Sequence, residues 1–339
     1  MTTAHKEQFR GCLIGQCLGD ALGSPVEGQA RSVCQRYVDE TLRTGRLDAD
    51  DGNLISIGQY TDDSQLAREL LQSYIACEGF DPQDYARRIG AIFAEGRIFR
   101  PGGATTAAAL RLIQGVAWNK AGTPAPSAGN GSAMRAAPIG FFFYDEPERL
   151  VQAARVQARI THQDERCSAG AVAIAGAVAL ALRGGAVNAP DFLSELAGWT
   201  ASIEPSVSAG MRELIDWVPL PMEEAADRIS GLGLDSTSAA DVNGISPFVT
   251  SSVLWSLYSF LRTPDDYWET ICTAIVVGGD VDTTAAMAGA ISGAYLGLDA
   301  IPISLAQRLT DRGTWGFAEL VDLADRAYAI KHRHTSGAD

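Results

Sequence analysis

Four histidines in 339 residues leave little material for a Cys/His metal site. Two of them, His332 and His334, stand in the polar C-terminal tail, and none of the six cysteines forms a CxxC pair. That composition argues against a zinc site of thiolates and imidazoles. Cysteines scattered through apolar surroundings read instead as buried free thiols in a reducing compartment. Basic residues are also short: 27 Lys and Arg face 41 Asp and Glu, for a net charge of -14. Tight binding to nucleic acid needs cations to displace counterions, so it is not expected here. The same charge suits a site that gathers metal ions. No uninterrupted apolar run reaches membrane-spanning length. Ala169–Leu182 is too short and reads as a buried core helix, and Asp280 and Asp282 interrupt Ala274–Leu298. Residues 1–10 are polar, with no secretory signal. The expectation is a cytoplasmic protein with no membrane partner.

Long alternating runs typical of strands are scarce, while helical spacing recurs. Leu66, Leu70, Leu71 and Tyr74 share one helix face, and Ala107–Ile113, Ala169–Leu182, Phe192–Leu196, Val249–Leu261 and Leu320–Ile330 repeat the pattern. Gly, Pro and Asp punctuate the chain at Asp51-Gly52-Asn53, Arg100-Pro101-Gly102-Gly103 and Gly129-Asn130-Gly131. Gly231–Gly244 reads as a surface loop. Hydrophobic residues make up 46% of the chain, enough for a sizeable core. An all-α fold in a single domain spanning 1–339, with its core over about 7–330, accounts for this pattern better than two units.

Two acidic clusters stand out: Thr61-Asp62-Asp63 and Asp280-Val281-Asp282-Thr283. Each is placed where a loop runs into a helix of small residues. In isolation an N-cap explains either one, because Thr or Asp before a helix satisfies free backbone N–H groups. Brought together, four carboxylates would repel one another unless a cation lay between them. Hard oxygen donors of this kind suit magnesium, and manganese takes the same ligands. Gly278-Gly279 in front of the second cluster permits unusual backbone angles. Behind it, Ala285, Gly289 and Gly293 recur every four residues, a face that lets a neighbouring helix come close. Three further elements carry chemistry. Gly19-Asp20 through Glu27 offers a turn and an additional carboxylate, and Ser127-Ala128-Gly129-Asn130-Gly131 is a candidate phosphate cradle without a Walker lysine. Thr161-His162 holds the one histidine of the chain's middle.

In this order the motifs resemble the ADP-ribosylglycohydrolase family. The matching text runs from Phe9-Arg10-Gly11-Cys12-Leu13 and Gly19-Asp20-Ala21-Leu22-Gly23 to Glu27. It continues through Tyr60-Thr61-Asp62-Asp63, Gly129-Asn130-Gly131 with Met134-Arg135, and Thr161-His162. It ends with Gly278-Gly279-Asp280-Val281-Asp282-Thr283 and Ala288–Tyr295. The resemblance implies an all-α orthogonal helical bundle around two Mg2+ ions, or Mn2+ in their place. Thr61, Asp62, Asp63, Asp280, Asp282 and Thr283 would be the ligands. Glu27 and Asp63 would be the candidate proton carriers. Asp20, Ser127, Ala128, Gly129, Asn130, Gly131 and His162 would contact the substrate, with 127–131 facing a diphosphate.

The reaction implied is hydrolysis of the bond between ADP-ribose and its acceptor, on a small molecule or an ADP-ribosylated protein, by a monomer. Met287–Tyr295 and the Phe248–Leu261 segment resemble the branch that acts on O-linked (serine) ADP-ribose. The arginine N-linked reaction and a catalytically inactive ADP-ribose-binding or structural homologue are the alternatives. A magnesium-dependent phosphate-ester hydrolase is a further one, disfavoured by the lack of a Lys/Arg-rich clamp. At position 128 that branch carries an aromatic residue where this chain has Ala128. Trp118, Phe141 and Phe143 are the candidates to stack on adenine in its place.

Overall fold

The computed structural model describes residues 4–46, 58–233 and 244–333. The expected turn at 51–53 and most of the loop at 231–244 lie outside the described residues. Within them, helices are joined by turns and isolated bridges, and no strand occurs. The all-α expectation therefore holds.

Two helices set the frame. The first, Lys6–Gly23, carries Gly11, Gly15, Gly19 and Gly23 on one face. It lies antiparallel to the Val281–Leu296 helix, which answers with Gly293, Gly289 and Ala285. A methyl group on Gly15 would fall 2.4 Å from the Gly289 carbonyl oxygen, and one on Gly11 2.3 Å from that of Gly293. The seam is thus backbone against backbone, with no room for a side chain. Only half of it, the stripe on the later helix, stood out in the sequence.

Around the seam pack the Val249–Arg262 helix, the Tyr267–Val276 helix and the C-terminal Phe317–Arg333 helix. The Glu165–Leu182 helix, the longest apolar one, is 83% buried inside the protein, as a core helix should be. Buried polar groups are tied off across these contacts. The indole of Trp255 donates to the Ala274 carbonyl at 3.1 Å, and the phenol of Tyr267 to that of Gly15 at 2.9 Å.

The Asp62–Cys77 helix starts at Thr61, whose hydroxyl accepts from the Asp63 N–H. Its entry is fixed from two sides. The Asp62 N–H donates to the Phe99 carbonyl at 3.0 Å, and Phe99 N–H donates to the Gln65 side chain at 2.8 Å. Arg68, fully buried, pairs with Asp311 at 2.8 Å and donates to the Tyr60 hydroxyl at 3.0 Å. That satisfies most of a charge that would otherwise be costly to bury. Both acidic clusters therefore open helices, where the unpaired N–H groups favour negative charge.

Candidate functional site

The start of the Val281–Leu296 helix is pinned by a backbone weave. Gly28 N–H donates to the Gly279 carbonyl at 2.7 Å, and Gly279 N–H donates back to Gln29 at 2.9 Å. On the other side Asp280 N–H donates to Ile245 at 2.7 Å and Ile245 N–H to Gly278 at 3.0 Å. Gly278 and Gly279 hold φ of +80° and +84°, and a Cβ on Gly279 would meet the Ile245 oxygen at 2.1 Å. Glycine is required at both. This weave joins the turn bearing Glu27 to the segment bearing Asp280.

Across from it lies the start of the Asp62–Cys77 helix. Asp20, from the first helix, caps it at a distance. The Asp20 carboxylate accepts from Thr61 N–H at 2.9 and 3.0 Å, from Ser64 N–H at 3.1 Å and from the Ser64 hydroxyl at 2.7 Å. Asp20 is fully buried behind the cleft and is not among the residues lining it. Thr61, also buried, donates its hydroxyl to Asp63 Oδ2 at 2.9 Å.

A cleft of about 180 Å³ opens between these parts. Glu27, Asp62, Asp63, Asp280, Asp282 and Thr283 line it, together with Gly129, Asn130, Gly131 and His162. The Asn130 amide donates to Asp280 Oδ2 at 2.5 Å and to Ser252 Oγ at 2.9 Å, while Asn130 N–H is taken by Pro247. Its polar groups thus orient Asp280. Ser127 and Ala128 are not among the lining residues, and the Ala128 carbonyl accepts from Val249 N–H. Of the aromatic candidates, Phe141 is stacked on Phe9 in the core, Phe143 packs edge-on against Tyr74, and Trp118 lines a separate groove. None of the three lines the cleft.

Sequence reasoning missed Arg100, Thr105 and Pro247, which also line the cleft. Arg100 is the only Lys or Arg among the lining residues. It lies 3.0 Å from Glu27 Oε2 and donates to Ser24 Oγ and the Ser24 carbonyl, each at 3.0 Å. In the sequence it looked like part of an Arg-Pro-Gly-Gly turn. Its left-handed φ of +56° and its reach to Glu27 arise only in the fold.

The electrostatics of the acidic wall are one-sided. Burial pushes Asp62, Asp63 and Asp282 well above the usual carboxylate range, and mutual repulsion adds to it. Asp280 is raised by burial, against its hydrogen bond from Asn130. Glu27 is raised by burial, opposed by Arg100. Burial takes Asp20 up to about 7, against its hydrogen bonds from Ser64 and Thr61. Candidate ligand oxygens of Asp20, Asp63 and Asp282 lie within 4.8 Å of one another, and so do those of Glu27, Asp280 and Asp282. Asp63 Oδ1 is buried and has no hydrogen-bond partner among the described residues. A carboxylate oxygen with no protein donor amid other carboxylates fits a cation ligand, and the all-oxygen donor set fits a hard divalent ion. The two triads share Asp282, which allows for two ions.

Comparison with known proteins agrees with this geometry. A profile of the family described as ADP-ribosylglycohydrolase matches residues 1–337. The human ADP-ribosylhydrolase ARH3 is 33% identical, over 88% of this chain and 88% of that protein. An uncharacterized protein of Archaeoglobus fulgidus is 31% identical, over 97% of this chain and 98% of its own length. An ADP-ribosylarginine hydrolase Tri1 of Pseudomonas putida is 26% identical, over 87% and 72%. A solved structure titled ADP-ribosylglycohydrolase-related protein complex superposes with a TM-score of 0.71 at 26% identity, covering 96% of this chain and 98% of that one.

Proposed function

The chain belongs to the ADP-ribosylglycohydrolase family, and from that premise we propose that the cleft hydrolyses the glycosidic bond between ADP-ribose and an O-linked acceptor, serine foremost. The observation that carries the hydrolytic reading is the wall of buried carboxylates with the unpartnered Asp63 Oδ1. The O-linked preference rests on the resemblance of Met287–Tyr295 and the Phe248–Leu261 segment to that branch; the relatives named ARH3, at 33% identity, also stand nearer than the arginine hydrolase at 26%.

Divalent cations held by Thr61, Asp62, Asp63, Asp280, Asp282 and Thr283 would supply a grip on ribose hydroxyls and a water of lowered pKa. The protein's own groups do the rest. Asn130 fixes the rotamer of Asp280. Glu27, at the cleft's mouth beside Arg100, is the carboxylate with room to take up and return a proton. Asp63, enclosed and held by Thr61, serves as a ligand. Gly131 makes room for His162, whose ring a Cβ there would meet at 2.9 Å, so the ligand lies against backbone and His162.

The test is release of ADP-ribose from serine-linked and arginine-linked peptides in magnesium. Serine-linked substrate should be cleaved faster, and a chelator or Asp282→Asn should abolish cleavage. Release that survives the chelator, or no release from either peptide, would overturn the reading. Calorimetric binding of ADP-ribose without turnover on either peptide would favour a non-catalytic homologue.

A further inference from the structure

His162 lies in the cleft wall with 1% of its surface exposed, its ring edge against the Gly129–Gly131 backbone. A methyl on Gly131 would come within 2.9 Å of its Cε1, and one on Gly129 within 3.5 Å of its Nε2. What the ring offers a ligand depends on which nitrogen carries the proton. Two residues behind it decide that.

Arg135 is fully buried. Its Nε donates to the Gln157 side chain at 3.0 Å, and its Nη2 to the Gln157 carbonyl at 3.1 Å and to Thr161 Oγ1 at 2.7 Å. A guanidinium only donates, so Thr161 Oγ1 is an acceptor in that bond. The hydroxyl keeps one proton of its own. Among the described residues its remaining neighbour within reach is His162 Nδ1, at 2.8 Å. If Nδ1 carried a proton and donated, the threonine proton would be buried with no acceptor, at a cost of about 1–3 kcal/mol. The favoured chain runs one way: Arg135 to Thr161, Thr161 to Nδ1.

We propose that Arg135 and Thr161 are positioning residues that fix His162 as the Nε2–H tautomer, so that the cleft presents a permanent hydrogen-bond donor to an oxygen of the bound ligand. Nε2 has no protein partner among the described residues and is not a buried orphan, which leaves it to the cleft. Burial and the neighbouring guanidinium press the imidazole's pKa down to about 3, which removes it as a proton carrier near neutrality. It binds; it does not titrate. That the ligand is ADP-ribose rests on the function proposed above, whereas the tautomer does not.

The experiment uses the full chain with 15N-labelled histidine and no ligand. The sequence holds four histidines, and a His162→Gln variant assigns the signal. Long-range 1H–15N spectra at neutral pH should show Nε2 protonated and Nδ1 bare in the wild type and in Thr161→Ser. In Thr161→Val, which keeps shape but loses the hydroxyl, the single tautomer should be lost. ADP-ribose affinity should then fall about tenfold relative to Thr161→Ser, the scale of one charge-assisted hydrogen bond. A wild-type His162 with its proton on Nδ1, or an imidazolium at neutral pH, overturns the proposal, as does Thr161→Val with tautomer and affinity unchanged. Should the valine variant not fold, the wild-type spectrum alone decides. The expected tautomer in a protein that does not bind ADP-ribose would support the relay and overturn the choice of ligand.

Discussion

His162 stays neutral in the folded protein down to about pH 3, while an imidazole in the unfolded chain takes up its proton near its usual value of about 6.5. Between those values the unfolded state holds more protons than the folded one, so stability falls as pH falls through that window. The slope belonging to this one group is about 1.4 kcal/mol per pH unit. His162→Gln should therefore show a shallower loss of stability between pH 6.5 and 4 than the wild type in parallel denaturant titrations. An equal slope in both would mean that the imidazole is not held neutral. Arg100 gives a second residue-scale test. Arg100→Asn tolerates the left-handed backbone but removes the charge beside Glu27. Turnover should drop on the order of tenfold, about 1.4 kcal/mol in the barrier. The pair is partly exposed, so stability should shift by less than about 1 kcal/mol. Neither role was legible in the sequence. Thr161-His162 stood out as a motif, but the Arg135 that completes it lies 26 residues earlier on another element.

Helices were legible where one face repeats small or aliphatic residues, as in Val249–Arg262 and Glu165–Leu182. Pro82–Ala94 and Pro205–Trp217 were not picked out by periodicity. Each announces itself differently, by an acidic N-cap followed by proline: Asp81 accepts from Gln83 and Asp84 N–H, and Glu204 from Ser206 N–H. The glycine seam was half legible. Gly11, Gly15, Gly19 and Gly23 share the four-residue spacing of Gly289 and Gly293, but nothing in either stripe says that they face each other. The seam yields a paired test. Gly289→Ala puts a methyl 2.3 Å from the Gly15 carbonyl oxygen and should cost at least about 1–3 kcal/mol. Gly198→Ala, in the exposed part of the Ala189–Thr200 helix with nothing within 4 Å, should gain up to about 1 kcal/mol. Equal effects on urea midpoints would show that helix propensity, not the close approach, sets the response.

At the scale of the molecule, the carboxylate wall sets binding against stability. Burying like charges opposes folding until a cation arrives, so divalent metal should raise the melting temperature. At a hundredfold excess over Kd the gain is about 2.7 kcal/mol. Asp63→Asn removes one of the repelling charges from a buried position that has no partner for Oδ1. The variant should melt higher than the wild type without metal and gain less when magnesium is added. A wild type whose melting curve ignores magnesium and manganese alike would count against a metal centre. The two acidic clusters were legible singly, yet their opposition across one cleft was not: it depends on chain segments more than 200 residues apart. That both open packed helices pointed to a shared site, and the ordered set of motifs strengthened the link.

The seam between the first helix and the Val281–Leu296 helix also bears on how the sequence can drift. A core of interlocking side chains relaxes whenever one of them changes volume, and the spacing of anything built on it moves too. Here peptide groups abut peptide groups, and Asp20 and Asp282 ride on the two abutting backbones near Gly19 and Gly23. Their separation is inherited from the dimensions of the polypeptide itself, which mutation cannot alter. The surrounding helices are free to exchange residues over long divergence while the carboxylates keep their spacing, at the cost of a few positions where almost no substitution is admissible.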